Sequence, residues 1–207
     1  MYCEPLRSNE KNRQLIQNFY IEREKEYSNP ENVQGQIIGL EAYLKYSAWE
    51  DDLHNNIKAY VVKTYFTNEI VAYFTLKCGL FTLDTELRDS LKEELAKENG
   101  IKLVPDTIPC VEIAQYAVND NYKKKHGKNG IPLKGLGEAL YPDFIYPIIE
   151  KAANIIGIKC IYLYAAGDNH LTDYYERVFG FKKIDDATMI PIMPYYDNGC
   201  SFMYYVL

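Results

Sequence analysis

The spacing of apolar and polar positions changes several times along the chain, and each change marks an element. From residue 8 to about residue 27, Leu15, Ile16, Phe19 and Tyr20 recur at helical spacing among charges, with Ser8 placed to cap the helix and Asn29-Pro30 to stop it. A second short helix is predicted from Leu40 to about Trp49, with Leu40, Tyr43, Leu44 and Ser47 on one stripe. The pattern then turns β-rich over residues 57–66 and 70–76, and Thr67-Asn68-Glu69 between them predicts an antiparallel hairpin. Residues 84–99 return to helical spacing through Leu87, Leu91 and Leu95, capped by Asp84 and stopped at Asn99-Gly100. Six Asp/Glu against three Lys/Arg in that stretch make it a solvated helix, read as an insertion.

Residues 111–118 alternate and are rich in β-branched side chains, which predicts a strand; Pro105 and Pro109 keep its approach extended. Residues 121–130, with three consecutive lysines followed by His126 and Lys128, read as a polar, flexible, basic loop. An amphipathic helix opens at Leu136 and runs toward Ile156, with a kink or late start expected near Tyr141 because Pro142 and Pro147 each remove a donor and crowd the preceding turn. Gly157 closes it, and a strand follows over 159–165. Asp168 and Asn169 offer caps for a short helix carrying Tyr174 and Tyr175; residues 181–184, 189–193 and 201–207 supply closing strands.

Composition narrows the class. With 207 residues, of which 47% are hydrophobic and 25% charged, the chain suits one domain with a sizeable core. The net charge of −6 argues against generic polyanion binding and leaves only a local basic patch, the lysines of 123–128, to meet phosphate. Five scattered cysteines, no Cys-x-x-Cys pair and three histidines give no zinc or disulfide framework, so no metal is expected. No apolar run approaches the ~20 residues that span a bilayer, and the first residues lack the pattern of a secretory signal. A cytoplasmic protein without a membrane partner is expected.

The candidate chemistry centres on Leu133-Lys134-Gly135-Leu136-Gly137-Glu138. The first amides of a helix lack intrahelical acceptors and the macrodipole is positive there, so two glycines at its mouth let phosphate oxygens reach the backbone. The order is strand, glycine turn, helix, strand, and then a helix ending Tyr174-Tyr175-Glu-Arg-Val-Phe-Gly180-Phe181.

That order, over residues 57–207 and most strongly over 111–181, resembles the GNAT family of acetyl-coenzyme A-dependent N-acetyltransferases. The family carries Gln/Arg-x-x-Gly-x-Gly/Ala after its fourth strand and Phe-Tyr-x-x-x-Gly-Phe in its last helix. The resemblance implies a three-layer α/β fold, with a mixed, mostly antiparallel sheet splayed at the coenzyme site and helices on both faces. Acetyl-CoA is the implied co-substrate. Its pantetheine arm would pair with Tyr116, Ala117 and Val118, and its pyrophosphate would lie on the amides of Lys134, Gly135, Leu136, Gly137 and Glu138. Tyr175 matches the tyrosine that protonates the departing sulfur, with Tyr174 as the alternative. Glu112, read as facing outward, would accept the amine proton directly or through water.

The sequence departs from the family at three points: Pro132 stands at the Gln/Arg position, the connection 119–133 is long, and one extra residue separates Tyr175 from Gly180. A doubly wound dinucleotide binder also uses a glycine turn between strand and helix, but its turn follows a first strand, whereas here a hairpin precedes it. The acidic balance favours a small or peptide amine as acceptor. The alternatives are the aminoacyl-tRNA of toxin-type acetyltransferases, which residues 71–76 and 110–118 resemble, or a non-catalytic acetyl-CoA-binding module. A homodimer is left open.

Overall fold

The computed structural model describes residues 1–22, 39–82, 89, 107–127, 133, 135–166, 169–184 and 200–207. Its strands are β1 (Tyr2–Pro5), β2 (Lys58–Lys63), β3 (Ile70–Thr82), β4 (Thr107–Val118), β5 (Cys160–Ala166), β6 (Lys182–Lys183) and β7 (Cys200–Val206). They form one mixed sheet in the order β1-β2-β3-β4-β5-β7-β6. The β1–β2, β2–β3, β5–β7 and β6–β7 ladders are antiparallel and the β4–β5 ladder is parallel. The chain falls into two compact units, Met1–Lys77 with Ala114–Pro147, and Cys78–Ile113 with Ile148–Leu207.

In the first unit, Leu6, Ile16, Phe19, Leu44, Ala48, Trp49, Val61 and Tyr73 share one buried cluster. Helices α1 (Lys11–Leu15), α2 (Leu40–Tyr46) and α3 (Ala48–Leu53) supply part of it. The first helix is much shorter than expected: after α1 a single 3-10 turn, Ile16–Asn18, ends at Phe19, which is extended (φ −69°, ψ 138°). The cause is distant in sequence. The amide of Tyr20 donates to Oδ1 of Asn119, the carbonyl of Tyr20 accepts from Asp120, and the amide of Glu22 donates to Asp120 Oδ2. These partners capture the backbone groups that a continuing helix would have used. Ser8 is no cap either; its hydroxyl donates to the carbonyl of Pro5, and Asn9 Oδ1 accepts from Lys11 instead.

The second expected helix breaks at Ser47 (φ −118°, ψ −37°) into α2 and α3. The hairpin is present as β2 and β3, closed by the amide of Thr64 donating to the Glu69 carbonyl, with Asn68 at φ 54°. Strand β1 leaves no mark in the sequence pattern, since four residues ending in proline carry no alternation. It is anchored by Lys63, 2% exposed, whose Nζ donates to Glu4 Oε1 at 2.9 Å and Asn12 Oδ1 at 3.0 Å.

Most of the stretch 121–130, expected as a basic loop, is helical: helix α4 runs Asp120–Gly127. Asn119 Oδ1 accepts from the amide of Asn121, Asp120 lies in the first turn and Lys124, Lys125 and His126 in the last, an arrangement the macrodipole favours. The lysines are paired: Lys123 with Asp120, Lys124 with Glu22, and Lys125 with Glu69, which His126 also meets.

The helix expected from Leu136 runs as α5 (Leu136–Leu140), a π-helical turn (Tyr141–Ile145) and α6 (Tyr146–Ile156). The irregularity lies where Pro142 and Pro147 predicted it, and the wider turn absorbs the lost donors. Gly157, at φ 72°, ends α6.

In the second unit, β5 and β7 pair over seven residues, and Phe81, Ile108, Cys110, Cys160, Tyr162, Phe202 and Tyr204 form its buried cluster. Helix α7 (Asn169–Phe179) carries Tyr174 and Tyr175. It ends at Gly180 (φ 71°), whose amide donates to the Glu176 carbonyl, while the amide of Phe181 reaches back to Tyr175. That second bond spans six residues, one more than in a Schellman turn. The expected helix over 84–99, the strand over 189–193 and the Asp168 cap lie outside the described residues, as do Pro132 and Lys134.

Candidate active-site residues

The glycine turn of the first unit opens α5. Gly135 is the N-cap of α5 at φ 79°, ψ 8°, a left-handed conformation that a side chain would strain. The amide of Ala139 donates to the Gly135 carbonyl at 3.0 Å, the first regular bond of the helix. The amides before it belong to the first turn, where a helix offers no acceptor. That of Leu136 donates to the Leu133 carbonyl at 3.3 Å. An ideal Cβ on Gly135 would lie 3.6 Å from Glu138 Oε2, so the Glu138 carboxylate folds back toward the turn.

Strand β4 meets this turn within the same unit. Tyr116 donates its hydroxyl proton to the carbonyl of Gly137, and a Cβ on Gly137 would lie 3.6 Å from both that hydroxyl and Val118 Cγ2. Of the residues proposed from sequence to hold the coenzyme, Tyr116, Val118 and Gly137 are thus brought together, while Ala117 is buried in the core cluster of the unit. A cavity of about 330 Å³ beside Glu69, Asn119 and Lys125 contains none of them.

In the second unit the parallel ladder covers only Cys110, Val111 and Glu112 of β4, opposite Cys160, Ile161 and Tyr162 of β5. Strand β4 then continues to Val118 and β5 to Ala166. Glu112 is not outward-facing as expected: it is 6% exposed, and Tyr162, 3% exposed, donates to its Oε2 at 3.0 Å. Nothing in the linear sequence couples these two residues. The alternation of 159–165 puts Tyr162 on a face with Cys160 and Tyr164, but it does not say which side chain lies opposite.

Tyr175 is half-buried in an aromatic group, with ring centroids 5.9 Å from Tyr174, 5.8 Å from Phe179 and 5.9 Å from Phe181. Burial, with a smaller contribution from the neighbouring Tyr174, pushes its phenol up to about 12. At neutral pH it is a protonated donor.

No protein-family model matches the sequence, and no curated protein does. Solved structures do match. A tyrosine-to-phenylalanine mutant of KacT superposes with a TM-score of 0.62 at 15% identity, covering 99% of this chain and 94% of that one. AtaT complexed with acetyl-methionyl-tRNAfMet gives 0.59 at 14%, covering 99% and 94%. AtaTR bound with AcCoA gives 0.58 at 13%, covering 99% and 92%. The fold is the GNAT acetyltransferase fold. In this GNAT frame the short parallel β4–β5 ladder, the glycine turn opening α5 and the tyrosine of α7 come in the order anticipated from the sequence. Among the described residues no helix is long and apolar enough to cross a membrane.

Proposed function

We propose that the chain is an acetyl-CoA-dependent N-acetyltransferase of the toxin type, working in the cytoplasm as one domain, with the α-amino group of aminoacyl-tRNA as acceptor. The observation that carries the acceptor is the likeness, over 99% of this chain, to AtaT in complex with acetyl-methionyl-tRNAfMet; other AtaT structures are described as toxin and as bound to acetyl-CoA. The small or peptide amine that overall charge favours is the second reading. It keeps one support: Lys/Arg and Asp/Glu balance in the first unit, and the acidic excess lies wholly in the second, where it would attract a cation.

The roles follow from residue chemistry. The amides of Gly135, Gly137 and Glu138, with that of Lys134, receive the pyrophosphate, and the backbone of Tyr116, Ala117 and Val118 receives the pantetheine arm as an added strand. Glu112 takes the proton from the attacking amine as the nitrogen–carbon bond forms. Tyr175 gives its proton to the sulfur as the carbon–sulfur bond breaks, yielding the amide and free thiol. A phenol held up near 12 stays loaded for that donation at any physiological pH.

Thermal melting with acetyl-CoA and with NAD, followed by labelled acetyl transfer to charged tRNA and to a panel of small amines, tests the reading. Stabilisation by acetyl-CoA alone and labelling of charged tRNA are expected. Label in the small amines alone selects the second reading, and stabilisation without transfer to any amine points to a non-catalytic module.

A further inference from the structure

Within the second unit, Tyr162 reaches beyond its own strand. An ideal Cβ on Gly79 of β3 would lie 2.5 Å from Cε1 and 2.7 Å from Cζ of the Tyr162 ring, and closer still to the hydroxyl. No side chain fits there unless the ring moves, so glycine at 79 is what admits the phenol. The ring is also gripped by its neighbours. Phe202 stacks on it at 5.4 Å and 26°, and Tyr164 meets it edge-on at 5.9 Å and 89°. With the ring so fixed, its O–H points at Glu112 Oε2, 3.0 Å away, from the residue that is also the Cα partner of Glu112 in the β4–β5 ladder.

Packing alone does not call for this arrangement. A phenylalanine at 162 would stack on Phe202 equally well and would spare the apolar cluster a polar atom that is costly to bury unbonded. The hydroxyl instead meets a carboxylate, and a hydrogen bond to a carboxylate in a dry setting is strong and directional.

We propose that Tyr162 is a positioning residue for Glu112, and that Gly79 is the space that positioning requires. The inference rests on the acetyltransferase reading, in which Glu112 takes the amine proton. Tyr162 keeps its own proton throughout. It holds the Glu112 carboxylate in one rotamer, so that the amine meets a base already in place.

The test uses the full chain, charged tRNA and labelled acetyl-CoA. Tyr162→Phe is expected to lower kcat roughly 10- to 100-fold with the Kd of acetyl-CoA unchanged and the melting temperature modestly lowered, and Gly79→Ala to do the same to kcat. In a Glu112→Gln background, Tyr162→Phe should cost nothing further. A second readout needs no turnover: in protein labelled with 13C-glutamate, the carboxyl resonance that Glu112→Gln removes should shift in both Tyr162→Phe and Gly79→Ala. An unmoved resonance, a wild-type kcat in Tyr162→Phe, or an equal loss in the Glu112→Gln background overturns the positioning role alone. Wild-type protein that transfers no acetyl group to any amine overturns the reading beneath it, whatever the resonance does.

Discussion

Tyr116 donates its hydroxyl proton to the carbonyl of Gly137, which ties the end of β4 to the first turn of α5. The residues expected to hold the pantetheine arm and those expected to hold the pyrophosphate are therefore linked by one hydrogen bond. Tyr116→Phe removes it at a cost of about 1 kcal/mol. The expected result is a modest drop in melting temperature with a several-fold weaker Kd for acetyl-CoA by calorimetry. A variant that binds as tightly as wild type would show that the tie does not organise the turn.

Gly135→Asp and Gly137→Asp put a carboxylate where the proposed site would hold phosphate charge, and Gly135 adds the strain of a side chain at φ 79°. Each is expected to weaken acetyl-CoA binding by about 100-fold or more, measured by calorimetry on folded protein. Glu138→Gln should act in the opposite direction. Its carboxylate folds toward Gly135, and removing that charge while keeping the backbone amide should tighten binding about two- to fivefold. The gain should shrink as salt rises; a loss of affinity would mean the carboxylate helps the site.

Tyr175→Phe should leave acetyl-CoA binding intact and lower turnover by about 100-fold. Its pKa also makes a stability prediction. Unfolded, the phenol loses its proton near its ordinary value of 10; folded, it holds it up to about 12. Between those values the native state binds more protons, so the contribution of Tyr175 is full below pH 10 and is lost as pH rises toward 12. Melting temperature should fall more steeply over that window in wild type than in Tyr175→Phe, and parallel curves would contradict the assignment.

The glycine turn, the hairpin and the tyrosine helix were legible in the sequence because each is written locally: a left-handed Gly135, the turn residues Thr67-Asn68-Glu69, a helical stripe closed by Gly180. What was not legible depends on partners far along the chain. Asn119 and Asp120 end the first helix at Asn18 by bonding Tyr20 and Glu22 about a hundred residues away. Lysines that looked like a free basic loop are helical and paired with Glu22 and Glu69. Tyr162 and Glu112 meet only because β4 and β5 lie side by side.

Lys63 shows the same long-range dependence in energetic form. Its buried ammonium is held by Glu4 and Asn12, and Asn12 also donates to the Glu4 carboxylate. Burial pushes Glu4 upward, but the bonds from Lys63 and Asn12 outweigh it and hold the carboxyl below its ordinary value. Its contribution is therefore present above the ordinary carboxyl range and is lost as pH falls through it. Lys63→Ala, which leaves the partly exposed Glu4 carboxylate to Asn12 and solvent, should cost about 1–3 kcal/mol in urea unfolding, and Glu4→Gln should flatten the acid limb of the stability curve.

The proposed acetyl transfer to the amino group of an aminoacyl-tRNA is tested directly by labelled acetyl-CoA with charged and deacylated tRNA side by side. Label is expected only in the charged tRNA, released with the amino acid on mild alkaline deacylation. The signal should also fall steeply with salt, because phosphate contacts would carry the RNA. Label in free amines but none in charged tRNA, at any salt concentration, would contradict it.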